Sequence, residues 1–348
     1  MPKRPPYLAN WADIEHAEEA RHPATGEPRG FVANLGAAAG LTRLGFRHHR
    51  LPPGRRTSPP HAERDEEELV FVLEGEPDLW QDGHLHRLCP GIAVGWPNGT
   101  GIAHTIINNS DRDVRLLALG EASRYVSAVH FPHDSDIAGW FARHRKLWPD
   151  PPKRRRGPHD GKPGAVPPRS RKPGLPPNAL DWRIQPVVDD NSYPNDAEIL
   201  SAFVSLAPKL GLYRIGGGID PLVPGRRTSW PHAEGDEEEF TFVLEGSPTA
   251  WLDGNLYPLK PGDFVGWPSR TGHAHTILNN SSERAVLFTW GEASRKRARV
   301  WYPFHARHMK SLGEVAWVPD KQPRFGPHDG LPDALRKTRR RTRKAAPA

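Results

Sequence analysis

The sequence predicts an all-β chain built as two copies of one domain in tandem, and three observations carry that prediction. The first is a repeat. Gly54-Arg55-Arg56-Thr57-Ser58 with Pro60-His61-Ala62-Glu63 returns 171 residues later as Gly225-Arg226-Arg227-Thr228-Ser229 with Pro231-His232-Ala233-Glu234. The offset holds through the pairs His104 and His275, Asn108 and Asn279, Glu121 and Glu292, and Arg124 and Arg295. A repeat this long marks a duplicated domain rather than a solenoid. The second observation is a series of short runs rich in β-formers, such as Leu69-Val70-Phe71-Val72-Leu73 and its counterpart Phe240-Thr241-Phe242-Val243-Leu244,. The third is punctuation: 39 Pro and 33 Gly, with turn signals at Asp82-Gly83, Pro90-Gly91, Asp253-Gly254 and Pro261-Gly262. Strands at such spacing form an antiparallel sandwich or barrel, and the amphipathic helices that a parallel sheet needs are missing from the pattern.

Taken in order, the first domain is expected over residues 1–150, a Pro-rich basic linker over 151–177, the second domain over 178–330 and a basic disordered tail over 331–348. The copies open alike, Asn10-Trp11 against Asp181-Trp182, and close alike, Gly157-Pro158-His159-Asp160-Gly161 against Gly326-Pro327-His328-Asp329-Gly330. A duplicated closing segment is expected to wrap back onto the sheets, its His-Asp pair forming an Asx-type turn between Gly and Pro. With 12 Trp and 12 Phe, each domain can fill a core without a disulfide, and Cys89, the single cysteine, cannot form one internally,.

The net charge of +7 does not point to nucleic acid, because of where it lies. Residues 151–172 carry a net +7 and residues 331–348 a net +6, leaving the remainder near −6. The basic run Arg339-Arg340-Arg341-Thr342-Arg343-Lys344 is expected to be a solvated end. Neither a signal-like N-terminus nor an apolar run of about 18 residues occurs, so a cytoplasmic protein without membrane spans is expected.

The chemistry is expected at residues that recur. His61, Glu63, Glu68 and His104 return as His232, Glu234, Glu239 and His275. Side chains two apart on a strand share a face, so His61 and Glu63 can aim into one barrel, where Glu68 and His104 would join them. Two imidazoles and two carboxylates suit Mn²⁺, Fe²⁺, Zn²⁺ or Ni²⁺. The rest of the run Asp65-Glu66-Glu67 reads as a solvated turn. Arg55, Arg56, Arg226 and Arg227 read as surface residues or as a clamp for a substrate carboxylate. Trp96 and Trp267 read as core, and Asn108 and Asn279 as strand-end turn residues.

The order Gly54, His61, Glu63, Glu68, Gly75, then Gly91, Pro97, Gly101, His104, Asn108, repeated in the second copy, resembles the two motifs of the cupin superfamily. The resemblance implies two jelly-roll barrels, a bicupin, and covers about Leu41–Arg124 and Leu212–Arg295. Two departures stand out: the second His of the H-x-H pair is Glu63 or Glu234, and the Pro-to-His loop is two residues longer. If Glu63 and Glu234 are ligands the site gains negative charge; if they point away, a two-His, one-carboxylate triad remains. The Gly99-Thr100-Gly101-Ile102-Ala103-His104 element is similar to that of uncharacterised bacterial cupin proteins. The resemblance implies a metal-dependent oxygenase, decarboxylase or isomerase acting on a small anionic or oxygen-rich metabolite, with Glu63 or Glu234 as base if not ligated. The alternative is a small-ligand binding or sensing barrel, and a homodimer is allowed by either.

Overall fold

The computed structural model describes residues 3–122, 127–144, 146–293 and 298–336. The basic run from Arg339 to Lys344 lies outside them, as do Arg124 and Arg295. Each repeat forms one barrel of antiparallel strands, jelly-roll fashion. The first has a six-stranded sheet in the order Ala179–Asp181, Ile92–Trp96, Glu68–Glu74, Val114–Glu121, Leu44–Leu51, Phe31–Ala33, facing a three-stranded sheet of His84–Arg87, Asp78–Gln81 and His104–Ile107. In the second, the order is Leu8–Asn10, Asp263–Trp267, Glu239–Glu245, Ala285–Glu292, Ile215–Leu222, Val204–Ser205, facing Asn255–Pro258, Thr249–Leu252 and His275–Leu278.

One of the two outermost strands of each six-stranded sheet comes from the other repeat. Leu8 pairs with Val265 and Ala179 with Val94. A sequence division near residue 178 therefore separates the repeats while each sheet draws its edge strand across that division, which covers an otherwise open edge.

The central strands are apolar on both faces because both are buried, as side-chain alternation requires. Leu69 and Phe71 point to the other barrel, and Val70 and Val72 point inward. Facing them, Phe240 and Phe242 lie between the barrels and Val243 lies inside the second. The joint core closes with Phe46 stacked on Phe240 at 3.8 Å and Phe71 tilted against Phe288 at 5.2 Å.

Glu67 corrects the expectation of a solvated acidic turn: it is 2% exposed and accepts from the amides of Tyr213, Arg214 and Ile215 at 2.9–3.1 Å. Glu238, equally buried, accepts reciprocally from Thr42, Arg43 and Leu44 at 2.9–3.0 Å. A carboxylate holding several backbone N–H groups is a strong anchor. Arg214 with Glu121 and Arg43 with Glu292 add ion pairs across the same junction.

The closing segments do wrap back. The Gly157 amide donates to Asp82, the His159 amide to Gly83, and Trp80 Nε1 to the His159 carbonyl at 2.9 Å. Gly326, His328 and Trp251 repeat this on the second barrel. A Cβ on Gly83, whose φ is +86°, would meet the Gly157 carbonyl oxygen at 2.4 Å, so the crossing needs glycine,. The amides of Lys162 and Leu331 donate to Asp160 and Asp329, the expected Asx-type turns,. The Pro-rich basic segment is thus strapped to the first barrel, with Leu85 and Ser170 joined through their backbones and Arg171 paired to Asp78.

Arg56 and Arg227 are neither surface residues nor substrate clamps. Arg227, its side chain 1% exposed, makes two 2.6 Å bonds to Glu198 and one to the Gly330 carbonyl, and Arg56 holds Glu27 and Gly161 in the same way. Arg55 pairs with Glu19 and Arg226 with Asp189. Each of these arginines tacks down the chain that precedes its barrel. Replacing Glu198 with Ala strands a buried guanidinium, and urea unfolding is expected to show a loss of about 3–5 kcal/mol; a loss below about 1 kcal/mol would contradict this anchoring role.

Candidate metal centres

The structure brings His61, Glu68 and His104 together in the first barrel and His232, Glu239 and His275 in the second, their ligand atoms lying within 4.8 Å of one another. Glu68 starts a central strand of the six-stranded sheet, His104 starts a strand of the opposite sheet, and a backbone bridge between His61 and His104 sets the third member. Glu68 Oε2 is 3.0 Å from His104 Nε2 and 3.8 Å from His61 Nε2; in the second barrel the corresponding separations are 2.9 and 3.5 Å. Ligand atoms about 2.0–2.2 Å from a common ion stand roughly 3–4 Å apart, so the spacing suits a shared cation.

Tautomers strengthen the fit. His104 Nδ1 lies 3.1 Å from the Ile102 carbonyl and His61 Nδ1 3.1 Å from the Pro59 carbonyl; His275 and His232 face the carbonyls of His273 and Trp230 in the same way. A carbonyl only accepts, so each Nδ1 carries a proton, and each ring turns its Nε2 toward a carboxylate oxygen. Two acceptors at 3 Å repel unless a proton or a metal ion lies between them. Trp96 and Trp267, buried as expected, also stack on His104 and His275 at 3.8 Å and fix their planes,.

Glu63 and Glu234 stand outside these trios. Glu63 Oε1 is 3.8 Å from His61 Nε2 while its Oε2 accepts from Ser127, and Glu234 Oε1 is 3.7 Å from His232. The two carboxylates of each site titrate apart. Burial, then the charge of Glu68, pushes Glu63 well above the usual carboxylate range, and burial with Glu239 pushes Glu234 to about 8. For Glu68 burial acts upward, but the hydrogen bond and charge of His104, with His61, outweigh it and hold the carboxyl down at about 2; Glu239 is likewise depressed. The His partners differ between barrels. Burial dominates at His61 and lowers it to about 4, whereas at His232 the closer Glu239 outweighs burial and raises it to about 9.

Asn108 and Asn279 serve as turn residues, each bonding the carbonyls of two chain segments, Leu51 and Arg112 or Leu222 and Glu283.

The cupin domain family matches residues 47–120 and 221–291, once in each barrel around its trio. The chain carries two cupin domains in tandem. Quercetin 2,3-dioxygenase of Bacillus subtilis (strain 168) is 24% identical over 231 residues, covering 63% of this chain and 65% of its own, so the match spans about two-thirds of either protein. Among solved structures, Ylba of E. coli superposes with a TM-score of 0.52 at 14% identity, over 83% of this chain and 91% of its own. The formate complex of Lactobacillus farciminis oxalate decarboxylase gives 0.52 at 14% identity, over 89% and 92%. These likenesses show the two-barrel fold.

The cupin barrels differ behind their trios. A cavity of about 320 Å³ in the first is lined by Arg29, Arg47 and His49 as well as its trio. Sequence reasoning missed these three because it looked for what repeats; their counterparts 171 residues on are Leu200, Gly218 and Asp220. Asp220 is buried, accepts from Ser201 at 2.8 Å, and is raised by burial to about 6. Outside the second trio, Tyr302 stacks near His232 at 5.8 Å and bonds Tyr193, where the first cupin domain has Phe131 and His22.

Asp220 sets a pH dependence. Folded, it keeps its proton up to about pH 6; unfolded, it loses it near 3.8, so its stabilising share is full below 3.8 and is lost as pH rises to 6,. Asp220→Asn is expected to stabilise the chain by about 1–3 kcal/mol at pH 8 and by nothing at pH 3.5, read by urea unfolding at both pH values. An advantage that grows toward acid pH would contradict the assignment.

Proposed function

We propose that this chain is a metal-dependent enzyme of the cupin fold acting on a small anionic or oxygen-rich metabolite, by a dioxygenase, decarboxylase or isomerase type of reaction. The observation that carries the reading is the pair of His/Glu/His trios, in which Nε2 of His104 and of His275 lies 2.9–3.0 Å from a carboxylate oxygen and Nε2 of His61 and His232 turns to the same oxygen. His61, Glu68 and His104, with His232, Glu239 and His275, would hold a divalent ion such as Mn²⁺, Fe²⁺, Zn²⁺ or Ni²⁺. Bound there, such an ion supplies Lewis-acid polarisation of a coordinated oxygen.

The chain's own residues supply the rest. Three protein ligands leave coordination positions open, unlike a closed structural site. In the first barrel the trio borders a cavity of a size suited to a small metabolite,. Glu63 and Glu234, beside the trio and shifted toward the neutral range, are the proton-handling groups,. Support for metal chemistry on this fold comes from Bacillus subtilis oxalate decarboxylase, a structure with Mn(II) centers and a TM-score of 0.51 at 14% identity.

The test is turnover of small carboxylates by the metal-loaded chain, followed as oxygen uptake, carbon dioxide release or isomer formation. Chelation is expected to abolish activity. Glu63→Gln and Glu234→Gln are expected to keep the metal while at least one lowers kcat about 100-fold or more. Metal-loaded protein that binds small ligands without consuming any would support the non-catalytic binding alternative instead.

A further inference from the structure

The two cupin domains repeat their trios but not the walls behind them. On the Leu44–Leu51 strand the inward residues are Gly45, Arg47 and His49; on Ile215–Leu222 they are Gly216, Gly218 and Asp220. Arg29, a third member of the first cavity, is replaced by the buried Leu200.

What sets Arg29 and Arg47 apart is that neither makes an ion pair among the described residues. By contrast Arg56 has Glu27, Arg227 has Glu198 and Arg43 has Glu292. Arg29 spends its Nε on the Thr57 carbonyl and forms no ion pair among the described residues. Arg47, at the exposed mouth of the cavity, donates no hydrogen bond and forms no ion pair there either. Glu68, on the same wall, attracts both guanidinium groups but makes no ion pair with either. Glu68 is bonded within the trio, and Glu121 is paired with Arg214 at 2.8 Å. His49, 5% exposed, adds an Nδ1 with no hydrogen-bond partner on the same wall.

A partly buried guanidinium without an ion pair, such as that of Arg29, is costly, and a planar oxyanion held between it and Arg47 answers it in paired hydrogen bonds,. In the second cupin domain the matching wall offers a carboxyl, Asp220, held by Ser201, and hydroxyls, Thr241 against Thr289, with Leu200 and Gly218 where the first has its two guanidinium groups.

We infer that the two barrels take different ligands: the first seats a small carboxylate between Arg29, Arg47 and its His/Glu/His trio, and the second does not take anions. The inference rests on the proposed metal-site reading for where the ligand's other end lies. Its anion recognition needs the arginines alone.

The probe is ¹³C-labelled acetate, with acetamide as its uncharged counterpart, titrated into the full chain. Calorimetry on chelator-treated protein reads binding without metal, and line broadening on Mn²⁺-loaded protein reads proximity to the ion. One acetate per chain is expected to bind, with acetamide at least tenfold weaker. Arg47→Gln and Arg29→Gln are each expected to raise the acetate Kd tenfold or more. Arg47 is exposed, so its variant tests the point even if the Arg29 variant fails to fold, and Arg29→Lys is expected to recover part of the binding. Broadening is expected to survive His232→Ala and to vanish in His61→Ala. Two acetates per chain, an unchanged Kd in Arg47→Gln, or loss of binding in His232→Ala would overturn the inference. Failure to retain any metal would sink the metal reading alone, since calorimetry on metal-free protein still decides the anion site.

Discussion

Two adjacent carboxylates in each repeat hold this molecule together and also define its chemistry. Successive side chains along an extended chain leave opposite faces, so Glu67 goes to the junction with the other barrel and Glu68 into its own. Glu67 gathers three amides of the opposite repeat, while Glu68 meets the two imidazoles. Glu238 and Glu239 do the same in reverse. A slip of one residue would exchange the two roles, placing the junction carboxylate among the imidazoles and the ligand carboxylate in the joint core. Registry, barrel contact and site geometry are therefore one constraint, reinforced by the alternation of Leu69 and Phe71 against Val70 and Val72 just downstream.

Duplication kept that constraint and relaxed what lies behind it. The trio, the tryptophan stacked on its second histidine, the serine beside the first and the carbonyls that fix the tautomers all recur at the same offset. The walls do not: guanidinium groups on one side, a buried carboxyl and hydroxyls on the other, with phenols outside only the second trio. The trios differ slightly too: Glu239 lies 3.5 Å from His232 where Glu68 lies 3.8 Å from His61, so burial lowers His61 while the carboxylate raises His232.

Much of this was legible in the chain. The 171-residue offset gives the duplication, strand-like runs between Gly and Pro give the barrels, and the spacing of His61, Glu68 and His104 gives the convergence. Illegible was whatever depends on the two repeats meeting. Glu67 reads as one more acid in a polar run until the amides of Tyr213, Arg214 and Ile215 arrive from the other barrel. The exchange of edge strands is hidden because pairing between strands so far apart in the chain, Leu8 with Val265 and Ala179 with Val94, leaves no local pattern. Arg29 and Arg47 escaped for a different reason, since a search for repeated residues passes over those that differ; setting Arg29 against Leu200, and Gly45 to His49 against Gly216 to Asp220, would have exposed them.

The central claim is that each trio is a cation site. Elemental analysis of the full chain purified without chelator tests it most directly, on the wild type and on the His61→Ala and His232→Ala variants. Close to two divalent ions per wild-type chain, with one lost in each variant, is the predicted result. Correctly folded protein that carries no stoichiometric metal, or whose metal content neither variant alters, would contradict the account.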